Sequence, residues 1–401
     1  MAVTAAEIND WLDQNWDTTI TLREWWERLT VAGYSQPAWP VGLGGLKANS
    51  ATTRLISDTL ANRGVIAPPV GMGPFMAAPT IIEHGSPEQI APLRRIANGE
   101  ELWCQLFSEP EFGSDLAGVQ TKAVRDGDAF IVTGQKVWNS VANFADFGML
   151  LARTNPDVPK HAGLTFFRID MRQPGVEARP LKTMNGGAHF CEVFLTEARV
   201  TLDDVVGKID GGWRVAGSVL GHERRMAASG GARGMLVATP GSVSGNLDRV
   251  VGDVLAEAKA AATKRAKPMI NSAKTLIRLA QQTGASADPM LRDALVRYHI
   301  QSEVYRLTNL RTRDSMAAGK APGPESSTAK IALSGIARTS RDLGLRIVGA
   351  GGMILGDDAA SGGEVQYAAL STPGVSLGGG TDEIQRNVIA ERALGLPRDP
   401  K

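Results

Sequence analysis

The spacing of hydrophobic residues divides the chain into three regions. Up to about residue 104, large apolar side chains such as Trp11 and Trp16 recur at helical intervals. Short β-branched and aromatic runs between turn residues follow, which is typical of strands, and then the helical period returns. The pattern predicts an N-terminal helical domain over 1–104, a middle β domain over 105–210 and a C-terminal helical domain over 211–401.

Local signals refine these regions. Asp126-Gly127 stands between two β-branched runs and predicts a hairpin. Ser86, followed by Pro87 and then by Gln89, predicts a helix start with a capping box. The fold class is therefore α+β with several domains, in which a small antiparallel barrel or sandwich stands between helical regions.

The charge composition excludes some partners. The 401 residues include 43 basic and 42 acidic side chains, for a formal net charge of +1. This balance gives no electrostatic reason to bind nucleic acid or an anionic membrane, so we expect neither as a partner. The two cysteines, Cys104 and Cys191, are too few for a disulfide framework and are expected to be reduced.

Targeting signals are not evident in the sequence. The first residues are acidic and amphipathic, unlike a basic start followed by an apolar run. No stretch approaches the roughly 20 apolar residues that cross a bilayer. We therefore expect a cytoplasmic protein.

One acidic residue interrupts an apolar helical face. Between Trp213 and Arg233, at about 100° per residue, apolar side chains share one half of the helix, and Glu223 lies near its centre. A carboxylate there loses hydration, so its proton affinity rises, which suits a general base. The alternative is a structural ion pair with an arginine from another helix. His222 falls at the edge of the face, as a boundary or surface residue.

A glycine run precedes the last helical pattern. In Ser376-Leu-Gly-Gly-Gly-Thr-Asp-Glu-Ile-Gln-Arg386, Thr381 is a capable N-cap. The glycines allow a ligand to approach the backbone closely, and helix N–H groups can hold an anionic or carbonyl group. The same composition also suits a plain connection between helices.

Three segments, taken in order, resemble signatures of the acyl-CoA dehydrogenase family. They are Ser108-Glu-Pro-Glu-Phe-Gly-Ser-Asp115, Gly134-Gln-Lys-Val-Trp-Asn-Ser140 and Gly379-Gly-Thr-Asp-Glu-Ile-Gln-Arg386. The loop Trp39-Pro-Val-Gly-Leu-Gly-Gly45 fits as well. The resemblance implies a C-terminal four-helix bundle and FAD held between the β domain and that bundle, completed by a neighbouring subunit.

The resemblance also assigns site residues by position. Residues expected to bind the cofactor are Phe107 and Ser108 at the flavin ring, Gly113 and Ser114 near the phosphates, Trp138 against the ring, Ser140 near flavin N5, and Thr381 and Glu383 in the glycine-rich turn. Residues expected to contact the substrate are Ser114, Arg224, Gly379 and Gly380.

The family's catalytic base is an acid found at one of two places. Many members carry it just before the Gly-Thr of the last loop, where this chain has Gly379. Others, such as long-chain and isovaleryl-type members, carry it on the first bundle helix in a Glu-Arg pair, here Glu223-Arg224. Both observations indicate Glu223. The implied activity is α,β-dehydrogenation of an acyl-CoA thioester to a trans-2-enoyl-CoA, with electrons passed to an electron-transferring flavoprotein by a dimeric or tetrameric, homo- or heteromeric enzyme.

The chain departs from the family in two features, of which one is a longer, Ala- and Lys-rich stretch from Pro240 to Lys274 and the other concerns the cofactor. Many members have an Arg-x-x-Phe-Gly segment whose arginine holds the FAD pyrophosphate, but the corresponding stretch begins at Leu279 without it, and Arg278 is a candidate substitute. Alternative functions are an FAD-binding or structural subunit of a heteromeric dehydrogenase, and a flavin monooxygenase or oxidase relative on the same fold. The balanced charge disfavours a DNA-associated relative.

Overall fold

The chain forms two compact units. The computed structural model describes residues 3–229, 235–265, 272–317, 323, 326–356 and 358–398. One unit comprises Met1–Lys182 with Ala188–Ala262, and the other comprises Thr183–Gly187 with Thr263–Lys401. The structure is α+β, as predicted, with strands between helical regions. The division into three domains at 104 and 210 stays a prediction.

Helices precede and follow the sheet of the first unit along the chain. The predicted capping box is confirmed: Ser86 accepts a hydrogen bond from the Gln89 backbone, and the Gln89 side chain accepts one from the Ser86 backbone. The helices are α1 (Ala5–Asn15), α2 (Leu22–Val31), α3 (Ser50–Arg63), α4 (Ala78–His84), α5 (Pro87–Ile90), α6 (Arg94–Ala97), α7 (Gly212–Ser229) and α8 (Val251–Arg265), of which α8 runs into the second unit.

Seven strands in the described part of the first unit form one sheet. They are β1 (Trp103–Leu106), β2 (Lys122–Asp126), β3 (Ala129–Ser140), β4 (Phe147–Arg153), β5 (Leu164–Asp170), β6 (Val176–Leu181) and β7 (Phe190–Thr201). Their order is β1-β4-β2-β3-β7-β6, with β5 paired to β4. The predicted hairpin is confirmed, since Asp126 pairs with Ala129 across the β2–β3 turn.

The sequence had suggested an antiparallel sheet, but the sheet also contains parallel pairs. β1 runs parallel to β4, and β2 meets the end of β4 in parallel. A parallel neighbour requires a long crossover, and here the β2–β3 hairpin lies within the connection. Because that pairing joins distant segments, local residue patterns did not indicate it.

The helix α7 carries Glu223 across the first unit. Val215, Ala216 and Val219 are buried on the face that packs toward α4 and β5. Glu223 lies one turn beyond Val219, on the same side of the helix. The end of the predicted helical stretch, residues 230–233, lies outside the described residues.

The second unit is helical. Its helices are α9 (Ala273–Gln282), α10 (Pro289–Ala317), α11 (Ser326–Val348), α12 (Glu364–Leu377) and α13 (Asp382–Val388). Leu276, Leu291 and Tyr298 are among the residues of its apolar core. The Thr381 side chain accepts a hydrogen bond from the Ile384 N–H at 3.2 Å, which confirms it as the N-cap of α13.

Two further sequence expectations concern thiols and membranes. Cys104 and Cys191 are free and fully buried, and burial raises the pKa of the Cys104 thiol. Within the ranges that the structure describes, no helix has the length and apolarity needed to cross a bilayer.

Candidate active site

A strained bend at the end of β3 turns an aromatic side chain outward. The pairing of β3 with β7 shifts register between Lys136 and Asn139, and Trp138 has a φ of 64°. Val141, with a φ of 54°, follows closely. Bulky and β-branched residues rarely adopt this conformation, and such strain concentrates at functional sites. The bulge leaves the Trp138 indole 56% exposed, and the centroids of the Trp138 and Phe190 rings lie 5.8 Å apart in an edge-to-face arrangement.

Serine side chains at the end of β3 and in the segment Ser108–Asp115 are available for hydrogen bonding. In the described part of the chain, the side chains of Ser108, Ser114 and Ser140 have no hydrogen-bond partner. A Cβ added at Gly113 would meet no atom within 4 Å. An exposed indole with available hydroxyls and an open glycine could hold a planar cofactor that carries polar groups. Phe107, in contrast, is buried, with its ring packed against Phe166 at 6.1 Å.

A buried ion pair fastens the Ser108 segment to β3. The Lys136 Nζ donates to the Phe107 carbonyl at 3.0 Å, to the Leu151 carbonyl at 2.8 Å and to Glu109 Oε1 at 2.9 Å. The Val137 N–H also donates to the Ser108 carbonyl at 2.9 Å. Two of the three signature segments are therefore joined through a fully buried ammonium group.

The two partners of this pair respond differently to burial. Burial lowers the pKa of Lys136 to about 8, although the Glu109 carboxylate opposes that shift. Burial acts to raise the pKa of Glu109, but Lys136 and the N–H groups of Gln120 and Thr121 outweigh it, so this pKa lies below its usual range. The Glu109 carboxylate is therefore ionised, and its oxygens accept hydrogen bonds from donors in the protein interior.

The Glu223 carboxyl is half-buried on α7. Burial raises the pKa of this carboxyl, while the Gln105 side chain and Arg224 act to lower it. In the part of the chain that the structure describes, no arginine from another helix pairs with Glu223. The structural ion pair proposed as an alternative is therefore not formed there.

A short chain of contacts runs from Glu223 to the strained strand. Gln105, on β1, faces the Glu223 carboxyl. The Gln105 backbone carbonyl accepts a hydrogen bond from Asn139 Nδ2 at 2.7 Å. Asn139 is the residue between Trp138 and Ser140. Glu223 is consequently connected, through two amide side chains, to the exposed indole and the available hydroxyl.

His222 is oriented away from this chain of contacts. Its Nε2 lies 3.8 Å from Glu83 on α4 and its Nδ1 faces Arg225. Burial lowers the pKa of His222 to about 4, with a further contribution from Arg225. The imidazole is neutral near pH 7 and half-buried, consistent with a boundary residue.

The glycine-rich turn lies in the second unit. Gly379 and Gly380 have φ values of 67° and 84°, and the Gly379 carbonyl accepts a hydrogen bond from the Gln385 side chain at 2.9 Å. Thr381 is engaged as the cap of α13, whereas Glu383 is exposed and pairs with Arg386 at 3.1 Å. The left-handed conformation at both glycines explains their use in this turn.

Buried charges hold the same turn in place. Asp382, 4% exposed, accepts a hydrogen bond from Arg338 at 2.8 Å, and Arg338 also donates to Ser376 Oγ at 2.6 Å. The Lys330 Nζ donates to the Val375 carbonyl at 2.7 Å. Two side chains of α11, Lys330 and Arg338, therefore fix the segment before α13.

The predicted site residues fall in two groups. The first unit contains Phe107, Ser108, Gly113, Ser114, Trp138, Ser140, Glu223 and Arg224, and the second contains Gly379, Gly380, Thr381 and Glu383. Hydrogen bonds join the Ser108 and Trp138 segments directly. The sequence had indicated no role for Gln105, Glu109, Lys136 or Asn139, although the last three lie within the signature segments. Their signal was the presence of a polar side chain within an otherwise apolar strand or beside one.

The described residues offer no metal site. Within those ranges, no group of three or more histidine, cysteine, aspartate or glutamate side chains is arranged to hold a metal ion.

Family models match two parts of the chain. The acyl-CoA dehydrogenase middle domain matches residues 104–198, and the acyl-CoA dehydrogenase C-terminal domain matches residues 255–394. The first match covers the strands that carry Gln105 and Trp138. The second covers the glycine-rich turn and the helices that fix it.

Similar proteins cover nearly the whole chain. Acyl-CoA dehydrogenase IpdE1 of Mycobacterium tuberculosis is 34% identical over 94% of this chain and 89% of its own length. Acyl-CoA dehydrogenase FadE34 of the same organism is 37% identical over 92% of this chain but 46% of its own length, so the chain spans about half of that relative. The solved ChsE4-ChsE5 complex of Mycobacterium tuberculosis is similar in fold, with a TM-score of 0.66, 24% identity and coverage of 99% of this chain and 100% of that one. The chain belongs to the acyl-CoA dehydrogenase family of oxidoreductases.

Proposed function

We propose that the protein is an FAD-dependent dehydrogenase that converts an acyl-CoA thioester to the trans-2-enoyl-CoA. The observation that carries this proposal is the half-buried Glu223 carboxyl, whose pKa burial raises, connected through Gln105 and Asn139 to the exposed Trp138 indole. A base and a ring-binding surface held together in this way suit removal of two hydrogens from adjacent carbons.

The residues of the site fit a flavin. The exposed Trp138 indole offers a face or edge to the ring, and Ser108 and Ser140 offer hydroxyl groups to its polar atoms. Gly113 and Ser114 are exposed, so phosphate oxygens can approach their backbone. Phe107 supports this surface from the core. When bound, FAD supplies the acceptor for the hydride that leaves the β carbon.

Glu223 takes the proton from the carbon α to the thioester carbonyl. Its raised pKa makes it a stronger base than an ordinary glutamate, provided that it is ionised when the substrate binds. Arg224 is exposed beside it and offers positive charge to the anionic coenzyme A. As the family resemblance implies, Ser114, Gly379 and Gly380 are also proposed to contact the substrate, and Thr381 and Glu383 to contact the cofactor.

The proposal includes partners for the reduced enzyme and for the chain itself. An electron-transferring flavoprotein accepts the electrons, as the family resemblance implies. The chain acts in the cytoplasm as a dimer or tetramer. The matched solved structure is described as a complex of ChsE4 and ChsE5, which supports assembly of this chain with itself or with a related subunit.

A second candidate is a subunit that completes its FAD site only with a partner. The observation favouring it is the absence from the sequence of the Arg-x-x-Phe-Gly segment. Arg278, on α9, is exposed and therefore available as a substitute for the missing arginine. In this case the isolated chain would bind FAD weakly.

Visible spectroscopy of the purified protein tests both candidates. We expect a yellow protein whose flavin absorbance is bleached anaerobically by at least one member of a panel of acyl-CoA thioesters. Colour that appears only after co-expression with a related subunit would favour the second candidate. A bound flavin that no thioester bleaches, or products that require oxygen, would contradict the dehydrogenase.

Substitution of the proposed base tests its assignment. We expect Glu223→Gln to retain bound flavin but to lose nearly all turnover, about 1000-fold or more, because the amide cannot accept the proton. Glu83→Gln is the matched control, since it removes an acid of the neighbouring helix α4 that contacts His222. Substantial remaining activity in Glu223→Gln would refute the assignment.

A further inference from the structure

Gln105 is a polar residue in a buried strand, and its amide is not explained by the fold. Its backbone pairs with Met149 of β4, and its side chain is half-buried. The amide nitrogen is buried and makes no hydrogen bond of normal geometry. Native proteins rarely leave a buried donor without an acceptor, so its retention requires a reason.

The group that this amide faces is the Glu223 carboxyl. Gln105 is the side chain that contributes most to stabilising the charged form of Glu223 against the larger effect of burial. A glutamine amide donates hydrogen bonds but does not ionise near neutral pH. It can therefore orient a carboxylate without competing for the proton that the carboxylate is to receive.

Other charged groups are directed elsewhere. On its own helix, Glu223 is flanked by Arg224, which also favours the charged form, and by His222. On α4, Glu83 and His84 contact Ser218 and His222 instead. On β5, the strand that packs against α7, Arg168 pairs with Asp204 and Asp170 accepts a hydrogen bond from the Arg172 N–H. On β1 the facing group is the neutral Gln105. The ionisation of Glu223 is thus set mainly by burial, Gln105 and Arg224.

The position of Gln105 is fixed by the strand that carries the proposed flavin contacts. Asn139 Nδ2 donates to the Gln105 carbonyl at 2.7 Å, and Asn139 lies between Trp138 and Ser140. The Oδ1 of Asn139 is itself buried without a hydrogen-bond partner. A displacement of the strained bend would therefore be transmitted to Gln105 and from there to the carboxyl.

We propose that Gln105 is a positioning residue, whose buried amide orients the Glu223 carboxyl toward the substrate while Asn139 fixes Gln105 to the Trp138 strand. This inference rests on the proposed function, in which Glu223 is the base. Gln105 itself takes no part in proton or hydride transfer.

The pH dependence of turnover distinguishes positioning from a merely structural role. Gln105→Met keeps the length of the side chain but removes the amide. We expect kcat at pH 7 to fall about 10-fold with KM little changed, and the acidic limb of kcat to move upward by about one pH unit, because Glu223 loses the neighbouring amide that favours its charged form. Gln135→Met is the matched control, since Gln135 donates to Glu192 at 3.3 Å on the same sheet, and its profile should match that of the wild type.

A second measurement needs no cofactor. Urea unfolding of the apoprotein at pH 8 gives the increase in the free energy of unfolding that Glu223→Gln causes. We expect this increase to be larger in the Gln105→Met background than in the wild type. An unchanged pH profile and equal gains in both backgrounds would overturn the role of Gln105. If Glu223→Gln instead remains active, the proposed function fails first, so the two failures are distinguishable.

Discussion

At the scale of single residues, Glu223 shows how burial and reactivity are linked. The apolar half of α7 raises the pKa of this carboxyl, and the same burial makes its ionised form unfavourable in the folded protein. In the proposed function, a stronger base is thus obtained at the expense of stability, as is common at active sites.

This conflict predicts a stabilising substitution. The pKa of Glu223 in the folded protein lies above its ordinary value of 4.5. Between that ordinary value and the folded pKa, the folded state binds more protons than the unfolded state. The free energy of unfolding therefore falls as the pH rises through this range. The Glu223→Gln variant does not lose stability in this way, because its amide does not ionise. We expect the variant to be more stable than the wild type at pH 8, by a difference that shrinks toward pH 5.

Urea unfolding at several pH values checks this expectation. Glu83→Gln serves again as the control, because its half-exposed carboxyl lies on the adjacent helix. A Glu223→Gln variant that is less stable than the wild type at pH 8 would show that the carboxylate makes stabilising contacts.

The sequence predicted residues whose signals are local. The apolar period of α7 marked Glu223 as unusual, and the turn and cap residues Asp126, Ser86 and Thr381 have the roles expected of them. Gln105 was not predicted, because its partner Glu223 lies 118 positions further along the chain and only folding brings the two together.

At the scale of elements, the end of β3 is organised by one buried charge. Lys136 connects β3 to the Ser108 segment and to β4 through three hydrogen bonds. Sequence reasoning recognised both signature segments but not their ion pair, since pairing between strands is nonlocal. The parallel pairing of β1 with β4 escaped prediction for the same reason.

Removing one member of this pair should be more harmful than removing both. Lys136→Met leaves Glu109 charged and buried without its partner, which typically costs about 3–5 kcal/mol of unfolding free energy. The double variant Lys136→Met, Glu109→Gln removes the isolated charge and keeps one acceptor oxygen, for either the Gln120 or the Thr121 N–H group. We expect it to recover part of the loss.

Thermal and urea unfolding of the two single variants and the double variant form the required cycle. The exposed pair of Arg179 and Glu177 is the control, because exposed ion pairs contribute about 0–1 kcal/mol. Additive losses for Lys136 and Glu109 would show that the two charges do not act together.

At the scale of the whole molecule, the helix α10 exposes an apolar stripe. Val296, Ile300, Val304 and Leu307 are each more than half exposed and recur at intervals of three or four residues. Charged pairs flank them, Asp293 with Arg297 and Glu303 with Arg306. A contiguous apolar stripe of this kind marks an association surface.

We expect a second copy of the chain to cover this stripe. An antiparallel copy of α10 would meet apolar side chains with apolar side chains, and its mixed charges would meet charges of both signs, as an isologous contact requires. Ile300→Lys with Val304→Lys should lower the mass measured by sedimentation equilibrium while leaving the unfolding temperature of the subunit little changed.

Val124→Lys, which replaces an exposed apolar residue of β2, is the control and should leave the mass unchanged. Equal masses for the wild type and the α10 variant would show that another surface mediates assembly. The net charge of +1 had favoured no class of partner, and so it gave no indication of a protein partner.

The irregular pairing of β3 with β7 has a consequence for insertions and deletions in this family of sequences. Between the Lys136–Val193 and Asn139–Cys191 pairs, β3 has one residue more than β7, so losing a single residue near Val137 would remove the bulge. The Trp138 backbone would then no longer adopt the left-handed conformation that accompanies its exposed indole. Homologous chains should therefore tolerate changed side chains in this stretch more readily than a changed residue count.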